Sequence, residues 1–120
     1  MGNVGELKRL EAIVTRFCEE RDWDQFHGPK DMAIGLITEA SELLEKFRFQ
    51  NDEQSMALFN DSKSRLEIEE ELADVFFFLL RFASRHQIGL ESALMAKMMK
   101  NAEKYPVEKA RGSNRKYDQL

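Results

Sequence analysis

Two acidic pairs, Glu39-Ala-Ser-Glu42 and Glu71-Leu-Ala-Asp74, lie inside two strongly apolar stretches of the chain. The carboxylates of each pair are three residues apart, a spacing that places them on one face of an α-helix. Isolated negative charge is expensive to bury among apolar side chains. We therefore expect two helices that face each other, with carboxylates that converge and need a compensating cation.

Four segments carry apolar residues at helical spacing and are predicted to be helices: residues 5–21, 29–49, 64–86 and 90–104. Pro29 suits the first turn of the second helix. The third helix opens with Ser64-Arg65-Leu66-Glu67, which has the capping-box pattern. The fourth helix ends before Pro106, because a proline disfavours helical backbone in the residue that precedes it.

The segments outside these helices are predicted to be less regular. Residues 50–63 are mostly polar and are expected to form a loop, in which residues 56–59 dock onto the helices. Residues 107–120 contain few apolar side chains and are expected to form an extended tail. The chain is therefore predicted to be a single all-α domain over residues 1–120, built as an antiparallel four-helix bundle.

The third predicted helix carries Phe76, Phe77 and Phe78 in succession, so it is apolar on three sides. A chain of 120 residues has a modest core, and pairing with further copies of itself would bury the additional apolar surface. We therefore expect a homo-oligomer. The alternative is a phenylalanine-rich core helix that residues 56–59 cover.

The composition narrows the classes of protein that fit. A formal charge of -4 and a pI near 5.3 argue against a nucleic-acid binder, which would usually be basic. No apolar run reaches the ~20 residues that span a bilayer, and residues 1–6 have no signal-peptide pattern. Cys18 is the single cysteine, so no internal disulfide is possible and a reducing, cytoplasmic setting is expected.

The type of ligand indicates the type of metal. Carboxylates without histidine or cysteine suit Mg²⁺, Mn²⁺ or Ca²⁺. Neither His27 nor His86 follows a glutamate by three residues, which argues against a di-iron bundle. Four carboxylates exceed what one Mg²⁺ takes from protein, so more than one ion on the phosphates of a substrate fits the pattern. The alternative is that these are ordinary charges at helix starts and on exposed faces.

Two further groups of side chains fit a nucleotide. A flat base could stack on Trp23 or Phe49. Lys97, Asn101 and Lys104 share a face of the fourth helix, where ammonium groups would bind phosphate oxygens. The alternatives are an aromatic plug at the bundle end and lysines that complement the helix dipole.

Several segments of the chain together carry a family resemblance. They are Arg21-Asp22-Trp23-Asp24-Gln25-Phe26-His27-Gly28-Pro29, Glu39-Ala40-Ser41-Glu42-Leu43, Glu70-Glu71-Leu72-Ala73-Asp74-Val75, Lys97-Met98, Asn101, Lys104-Tyr105-Pro106 and Ser113-Asn114-Arg115-Lys116-Tyr117. From about Phe17 to the C-terminus, the sequence resembles the MazG-like all-α nucleoside triphosphate pyrophosphohydrolases, in particular their dCTP pyrophosphatase branch. The acidic signature is shared by the family, whereas the aromatic and Lys-Tyr-Pro segments are more specific.

The resemblance implies a reaction and an assembly. The fold would be a helical bundle that forms a dimer of dimers. The reaction would be Mg²⁺-dependent hydrolysis of a nucleoside triphosphate, dCTP or a related pyrimidine, between its α- and β-phosphates, giving the monophosphate and pyrophosphate. Glu39 or Glu42 would take a proton from the attacking water, and spacing does not choose between them.

The resemblance also implies roles for individual residues. The metal ligands would be Glu39, Glu42, Glu71 and Asp74. The base and sugar would meet Trp23, His27, Phe49 and Phe78, and the phosphates would meet Arg85, Lys97, Asn101, Lys104 and Tyr105. Phe49 stands where the branch often has a second tryptophan, and Phe78 where it often has tyrosine. A phenylalanine at position 49 stacks with a smaller face and donates no hydrogen bond, so the choice of base is more open than the reaction.

Two other interpretations fit the same sequence. The first keeps the reaction and changes the substrate to dUTP, dATP or a broad set of triphosphates. The second is a non-catalytic helical oligomer, a binding or scaffold module whose acidic faces form ion pairs. A panel of nucleotides separates the three, because only an enzyme releases pyrophosphate and the panel shows which base it accepts.

Overall fold

The structure is a computed structural model that describes residues 5–120, and all of its regular elements are helices. Residues 1–4 lie outside the described residues. They include most of residues 1–6, for which the sequence analysis found no signal-peptide pattern. Two compact units are present, one that ends at His86 and a second that comprises Gln87–Leu120. The predicted all-α class is confirmed over the described part of the chain.

Over residues 5–86, the first unit contains four α-helices: α1 (Glu6–Glu20), α2 (Pro29–Glu45), α3 (Asp52–Ala57) and α4 (Ser62–Arg85). Both α1 and α2 pack against α4, and the contact between α2 and α4 is the more extensive. The position of Pro29 at the start of α2 is as predicted. The long central helix α4 therefore holds the unit together, and the α2/α4 contact is the one that brings the two acidic pairs onto facing helices.

The start of α4 differs from the prediction. Its N-cap is Asp61, whose carboxylate accepts hydrogen bonds from the backbone N–H of Ser64 at 3.0 Å and from the Ser64 hydroxyl at 2.8 Å. These bonds lower the pKa of Asp61. The helix begins at Ser62 rather than Ser64, because Asp61 caps it in place of the predicted Ser64–Glu67 capping box.

The prediction of a loop over residues 50–63 is wrong. Asn51 and Gln54 form a reciprocal capping box, with bonds of 2.8 and 2.9 Å, and this cap starts α3. A 3₁₀ turn, Leu58–Asn60, follows and contacts α4. The ring of Phe59 stacks on Phe47 with 6.1 Å between centroids, which confirms that this part of the segment docks onto the unit.

The second predicted helix is shorter than expected, since α2 ends at Glu45 rather than residue 49. The backbone continues in tight turns, with Phe47 N–H bonded to Leu44 O at 2.9 Å and Gln50 N–H bonded to Phe47 O at 3.1 Å. Phe49 has a positive φ of 65°. This left-handed conformation is uncommon for a residue with a side chain, and it ends the series of turns that follows α2.

The second unit contains α5 (Leu90–Lys104), α6 (Val107–Ala110) and a 3₁₀ turn at Tyr117–Gln119. The predicted bounds of the fourth helix are confirmed by α5. Residues 107–110 of the expected extended tail form α6, and Pro106 is its N-cap residue. Because α5 belongs to the second unit, the antiparallel four-helix bundle stays a prediction.

The first unit has a small core and much exposed apolar surface. The buried apolar side chains are Cys18, Met32, Ile68, Leu80 and Ala83. Large apolar side chains on α2 and α4 remain exposed, among them Ile37 (67%), Leu44 (68%) and Leu72 (56%). Within residues 5–120, none of the helices combines the length and the apolar character needed to cross a lipid bilayer.

Candidate functional site

Three carboxylates meet at the contact between α2 and α4. Glu39 and Glu42 project from α2, Glu71 projects from α4, and each offers an oxygen atom such that all three atoms lie within 4.8 Å of one another. The spacing of three on α2 puts its two glutamates on the same face, as the sequence predicts. We call Glu39, Glu42 and Glu71 the carboxylate cluster.

Two oxygen atoms of the carboxylate cluster are buried without a partner. Within residues 5–120, no hydrogen-bond donor reaches Glu39 Oε2 or Glu71 Oε2. A buried acceptor left without a donor costs about 1–3 kcal/mol, and more when it is charged. A hard cation that prefers oxygen ligands would be a suitable partner for both oxygen atoms.

The proton affinity of the cluster is raised. Burial, then a hydrogen bond with Glu42, and then the negative charges of Glu42, Asp74 and Glu71 raise the pKa of Glu39 to about 7. Burial and Glu42 also raise the pKa of Glu71, although the ammonium group of Lys46 acts in the opposite direction. Without a cation, the cluster therefore binds a proton at a higher pH than an ordinary carboxylate does.

Asp74 lies near the cluster but outside it. The residue follows Glu71 by one turn of α4 and is exposed, and it is not among the three residues whose oxygen atoms lie within 4.8 Å of one another. Its charge nevertheless raises the pKa of both Glu39 and Glu71. The second predicted acidic pair thus brings one carboxylate into the cluster and leaves the other beside it.

The donor set fits a hard divalent ion. It consists of carboxylate oxygens from two helices, and two of these oxygens have no other partner in the described part of the chain. Oxygen-only ligands suit Mg²⁺ and Mn²⁺ rather than zinc, which favours histidine and cysteine. Both the geometry and the raised proton affinity indicate a cation site.

Phe78 lies against α2 one turn beyond the acidic residues. A Cβ atom added to Gly35 would stand 2.3 Å from Cε1 of the Phe78 ring, so only glycine allows this approach. Gly35 precedes Glu39 by one helical turn, and Phe78 follows Asp74 by one turn. The Phe78 ring therefore lies at the same contact between α2 and α4 as the carboxylate cluster. The sequence analysis did not identify Gly35 as part of this contact.

Gly35→Ala is expected to destabilise the protein by about 1–3 kcal/mol, because the added methyl group overlaps the Phe78 ring. An ordinary glycine-to-alanine change inside a helix has the opposite sign and stabilises by about 0.5–1 kcal/mol. Urea midpoints measure the effect. In a Phe78→Ala background the same change should no longer destabilise, and a higher midpoint for Gly35→Ala alone would contradict the contact.

The segment between α1 and α2 brings together residues that were predicted to meet the base and sugar. The rings of Trp23 and His27 lie 6.0 Å apart, and Trp23 also meets Phe17 edge-on at 5.6 Å. Trp23 is 37% exposed, whereas His27 is buried. This segment therefore offers one accessible aromatic face beside a buried imidazole.

Arg81 is a buried residue that no motif singled out. Its Nε–H donates to Nδ1 of His27 at 2.9 Å, and its terminal nitrogen forms an ion pair with the Asp24 carboxylate. Arg85, predicted to meet phosphates, contacts the same segment, with a hydrogen bond of 3.3 Å to the backbone oxygen of Asp24. The available signal was an arginine inside the apolar run of α4, since a buried charge needs a partner.

Phe49 lies at the end of the turns that follow α2. Phe49 is 89% exposed, and the guanidinium group of Arg48 lies 4.6 Å from the centre of its ring. An exposed aromatic face is available to stack on a base, which is the role that the resemblance implies.

Residues predicted to meet phosphates also lie in the second unit. Lys104 Nζ lies 4.8 Å from the centre of the Tyr117 ring, and the Tyr105 ring meets Tyr117 edge-on at 6.0 Å. Lys97 and Asn101 precede them on α5. The structure therefore gathers Lys104 and Tyr105 around a third residue, Tyr117, that belongs to the last segment of the resemblance.

This chain matches one family model, and its curated relatives carry one enzymatic name. Residues 35–120 match the sequence model of the MazG-like family. The dCTP pyrophosphatase 1 of Rattus norvegicus is 37% identical over 115 residues, which is 96% of this chain, and that of Homo sapiens is 36% identical. The chain spans 66% of the length of these relatives.

A solved structure agrees with this relationship. The crystal structure of a pyrophosphatase from Archaeoglobus fulgidus superposes with a TM-score of 0.81 at 31% identity, covering 88% of this chain and 97% of that one. The residues that match the family model, 35–120, include all three residues of the carboxylate cluster. This chain belongs to the MazG-like family.

Proposed function

We propose that this chain is a metal-dependent nucleoside triphosphate pyrophosphohydrolase that acts on dCTP or a related pyrimidine nucleotide. The observation that carries the proposal is the convergence of Glu39, Glu42 and Glu71, with two buried oxygens that lack a donor among residues 5–120. The names of its relatives, dCTP pyrophosphatase 1 and a pyrophosphatase, support both the reaction and the substrate class.

Glu39, Glu42, Glu71 and Asp74 would hold Mg²⁺, or Mn²⁺ in its place. A bound divalent ion would neutralise phosphate charge and lower the pKa of a water molecule. Glu39 or Glu42 would accept the proton of the attacking water. The oxygen of that water bonds to the α-phosphorus, the bond to the bridging oxygen breaks, and pyrophosphate leaves with the electron pair.

The remaining site residues would bind the two ends of the nucleotide. Trp23 and Phe49 offer exposed aromatic faces to the base, with His27 and Phe78 toward the sugar. Arg85, Lys97, Asn101, Lys104 and Tyr105 would bind the phosphates. Cationic and hydroxyl donors of this kind form strong charge-assisted hydrogen bonds with phosphate oxygens.

A panel of nucleoside triphosphates tests the reaction and the base preference together. With Mg²⁺ present, the purified protein is expected to convert dCTP to its monophosphate and pyrophosphate. Orthophosphate as the first product would contradict cleavage between the α- and β-phosphates. Equal rates with dUTP and dATP would replace the pyrimidine substrate with a broad set, and no turnover with any nucleotide would favour the non-catalytic module.

We also propose that the protein is a homo-oligomer, with the dimer of dimers as the expected form, in a reducing compartment such as the cytoplasm. The exposed apolar side chains Leu72, Phe76 and Leu79 share one side of α4 and support an interface there. The free, buried thiol of Cys18 is compatible with a reducing compartment.

Leu72→Glu is expected to lower the oligomeric state, because it puts a charge into the apolar side of α4. Light scattering should give a multiple of the 14.0 kDa chain mass for the unmodified protein and a smaller multiple for the variant. Glu70→Gln changes an exposed residue of the same helix and should leave the mass unchanged. A 14.0 kDa species for the unmodified protein would contradict the assembly.

A further inference from the structure

A buried arginine is committed to the segment between α1 and α2. Arg81 is 1% exposed and lies in the interior of α4. Its Nε–H donates to His27 Nδ1 at 2.9 Å, while its terminal nitrogen pairs with the Asp24 carboxylate. Asp24 and His27 belong to one short stretch, so a single guanidinium group holds both ends of it.

A contribution to folding stability does not by itself account for the buried contacts of Arg81. Burying a charge costs several kcal/mol, and well-packed apolar residues often replace a buried ion pair without loss. Here one partner is a half-exposed carboxylate and the other is an uncharged ring nitrogen. What the guanidinium provides is directional: its planar group donates along two fixed directions at once.

The hydrogen bond from Arg81 determines which nitrogen of the His27 imidazole carries the proton. A histidine nitrogen that accepts a hydrogen bond carries no proton, so the proton of a neutral ring must be on Nε2. Burial and the positive charges of Arg81 and Arg85 lower the pKa of His27, and Asp24 and Asp31 act in the opposite direction. The ring is therefore neutral at physiological pH, and one of its two tautomers is selected.

We propose that Arg81 is a positioning residue that fixes His27 as the Nε2–H tautomer and so gives the segment beside Trp23 a permanent hydrogen-bond donor. The donor would recognise an oxygen or an unprotonated nitrogen on the base or sugar of the nucleotide. This substrate part rests on the proposed function, whereas the selection of the tautomer does not.

Nitrogen NMR of isotopically labelled protein tests the tautomer directly. The chain has two histidines, and a His86→Gln variant assigns the signals. His27 is expected to show an unprotonated Nδ1 and a protonated Nε2 at neutral pH. A protonated Nδ1 on His27, or a cationic ring at neutral pH, would overturn the proposal.

Arg81→Lys separates positioning from charge. Lysine keeps the positive charge but lacks the planar group, so His27 should populate both tautomers or begin to titrate. Arg65→Lys, a charge-conserving change near the start of α4, where Arg65 pairs with Glu69 at 3.4 Å, should leave the His27 spectrum as it is. An unchanged His27 spectrum in Arg81→Lys would refute the role, and the wild-type spectrum still decides if that variant does not fold.

Steady-state kinetics then test whether the His27 donor recognises the nucleotide. Arg81→Lys is expected to raise the KM for the nucleotide about tenfold, the value of one lost hydrogen bond, with little change in kcat. A fall in kcat at unchanged KM would refute substrate recognition. If no nucleotide is hydrolysed at all, the proposed function fails while the NMR result for Arg81 still stands.

Discussion

Glu42→Gln and Asp74→Asn are each expected to reduce nucleotide hydrolysis by at least about 100-fold, while the helical content stays that of the wild type. Changing residues that only support a metal ligand already costs about 10–100-fold, and these two changes remove proposed ligands outright. A pyrophosphate-release assay at saturating Mg²⁺ measures the loss, and circular dichroism checks the fold.

Glu45→Gln is the matched control for this pair. Glu45 follows Glu42 by three residues on α2, is exposed, and forms an ion pair of 3.4 Å with Arg48 rather than joining the cluster. Exposed pairs of this kind contribute about 0–1 kcal/mol, so its removal should leave the rate unchanged. Wild-type hydrolysis by Glu42→Gln would contradict the assignment of the cluster.

The metal-free protein is expected to lose stability as the pH rises. The pKa of Glu39 is about 7 in the folded state, against an ordinary value of 4.5. The folded state therefore binds this proton more tightly than the unfolded state does, and the stabilisation is lost as the pH rises through about 7. In EDTA, the melting temperature should fall as the pH rises from about 4.5 to about 7. Mg²⁺ should restore it at the higher pH, because a cation favours the ionised carboxylates.

Glu39→Gln isolates the source of this effect. Without metal the variant should melt at a higher temperature than the wild type at high pH, because it lacks one of several repelling charges. Its melting temperature should also respond less to pH and to Mg²⁺. Glu70→Gln, an exposed change beside Glu71, should behave like the wild type. A metal-free melting temperature that rises with pH would refute the account of the cluster.

The longer helices were predictable because their apolar periodicity extends over several turns. The bounds of α5 agree with the prediction, and α1 differs at its ends by one residue. Helix α3 was missed because six residues are too few to show a period. Its existence depends on the reciprocal bonds of Asn51 and Gln54, two polar residues in a segment whose composition is typical of a loop.

The candidate site was predictable in part for a related reason. A spacing of three determines that Glu39 and Glu42 share a face, and that is a local property of one helix. Which carboxylate of α4 meets them depends on how two helices pack, and the structure brings in Glu71 while leaving Asp74 alongside.

Arg81 and Gly35 depend on contacts over a longer distance along the chain. Arg81 bonds to His27, which lies 54 residues earlier, and no local pattern identifies such a partner. Gly35 matters only because the Phe78 ring lies against it. A sequence shows that a buried arginine or a helical glycine is unusual, but the reason becomes visible only when the neighbouring helix is in place.

Hydrolysis of dCTP with Mg²⁺ in water labelled with the heavy oxygen isotope, followed by mass spectrometry of both products, tests the central claim most directly. Attack on the α-phosphorus predicts that the label appears in the nucleoside monophosphate and that the pyrophosphate is unlabelled. Label in the pyrophosphate, or labelled orthophosphate as the first product, would contradict the proposed reaction.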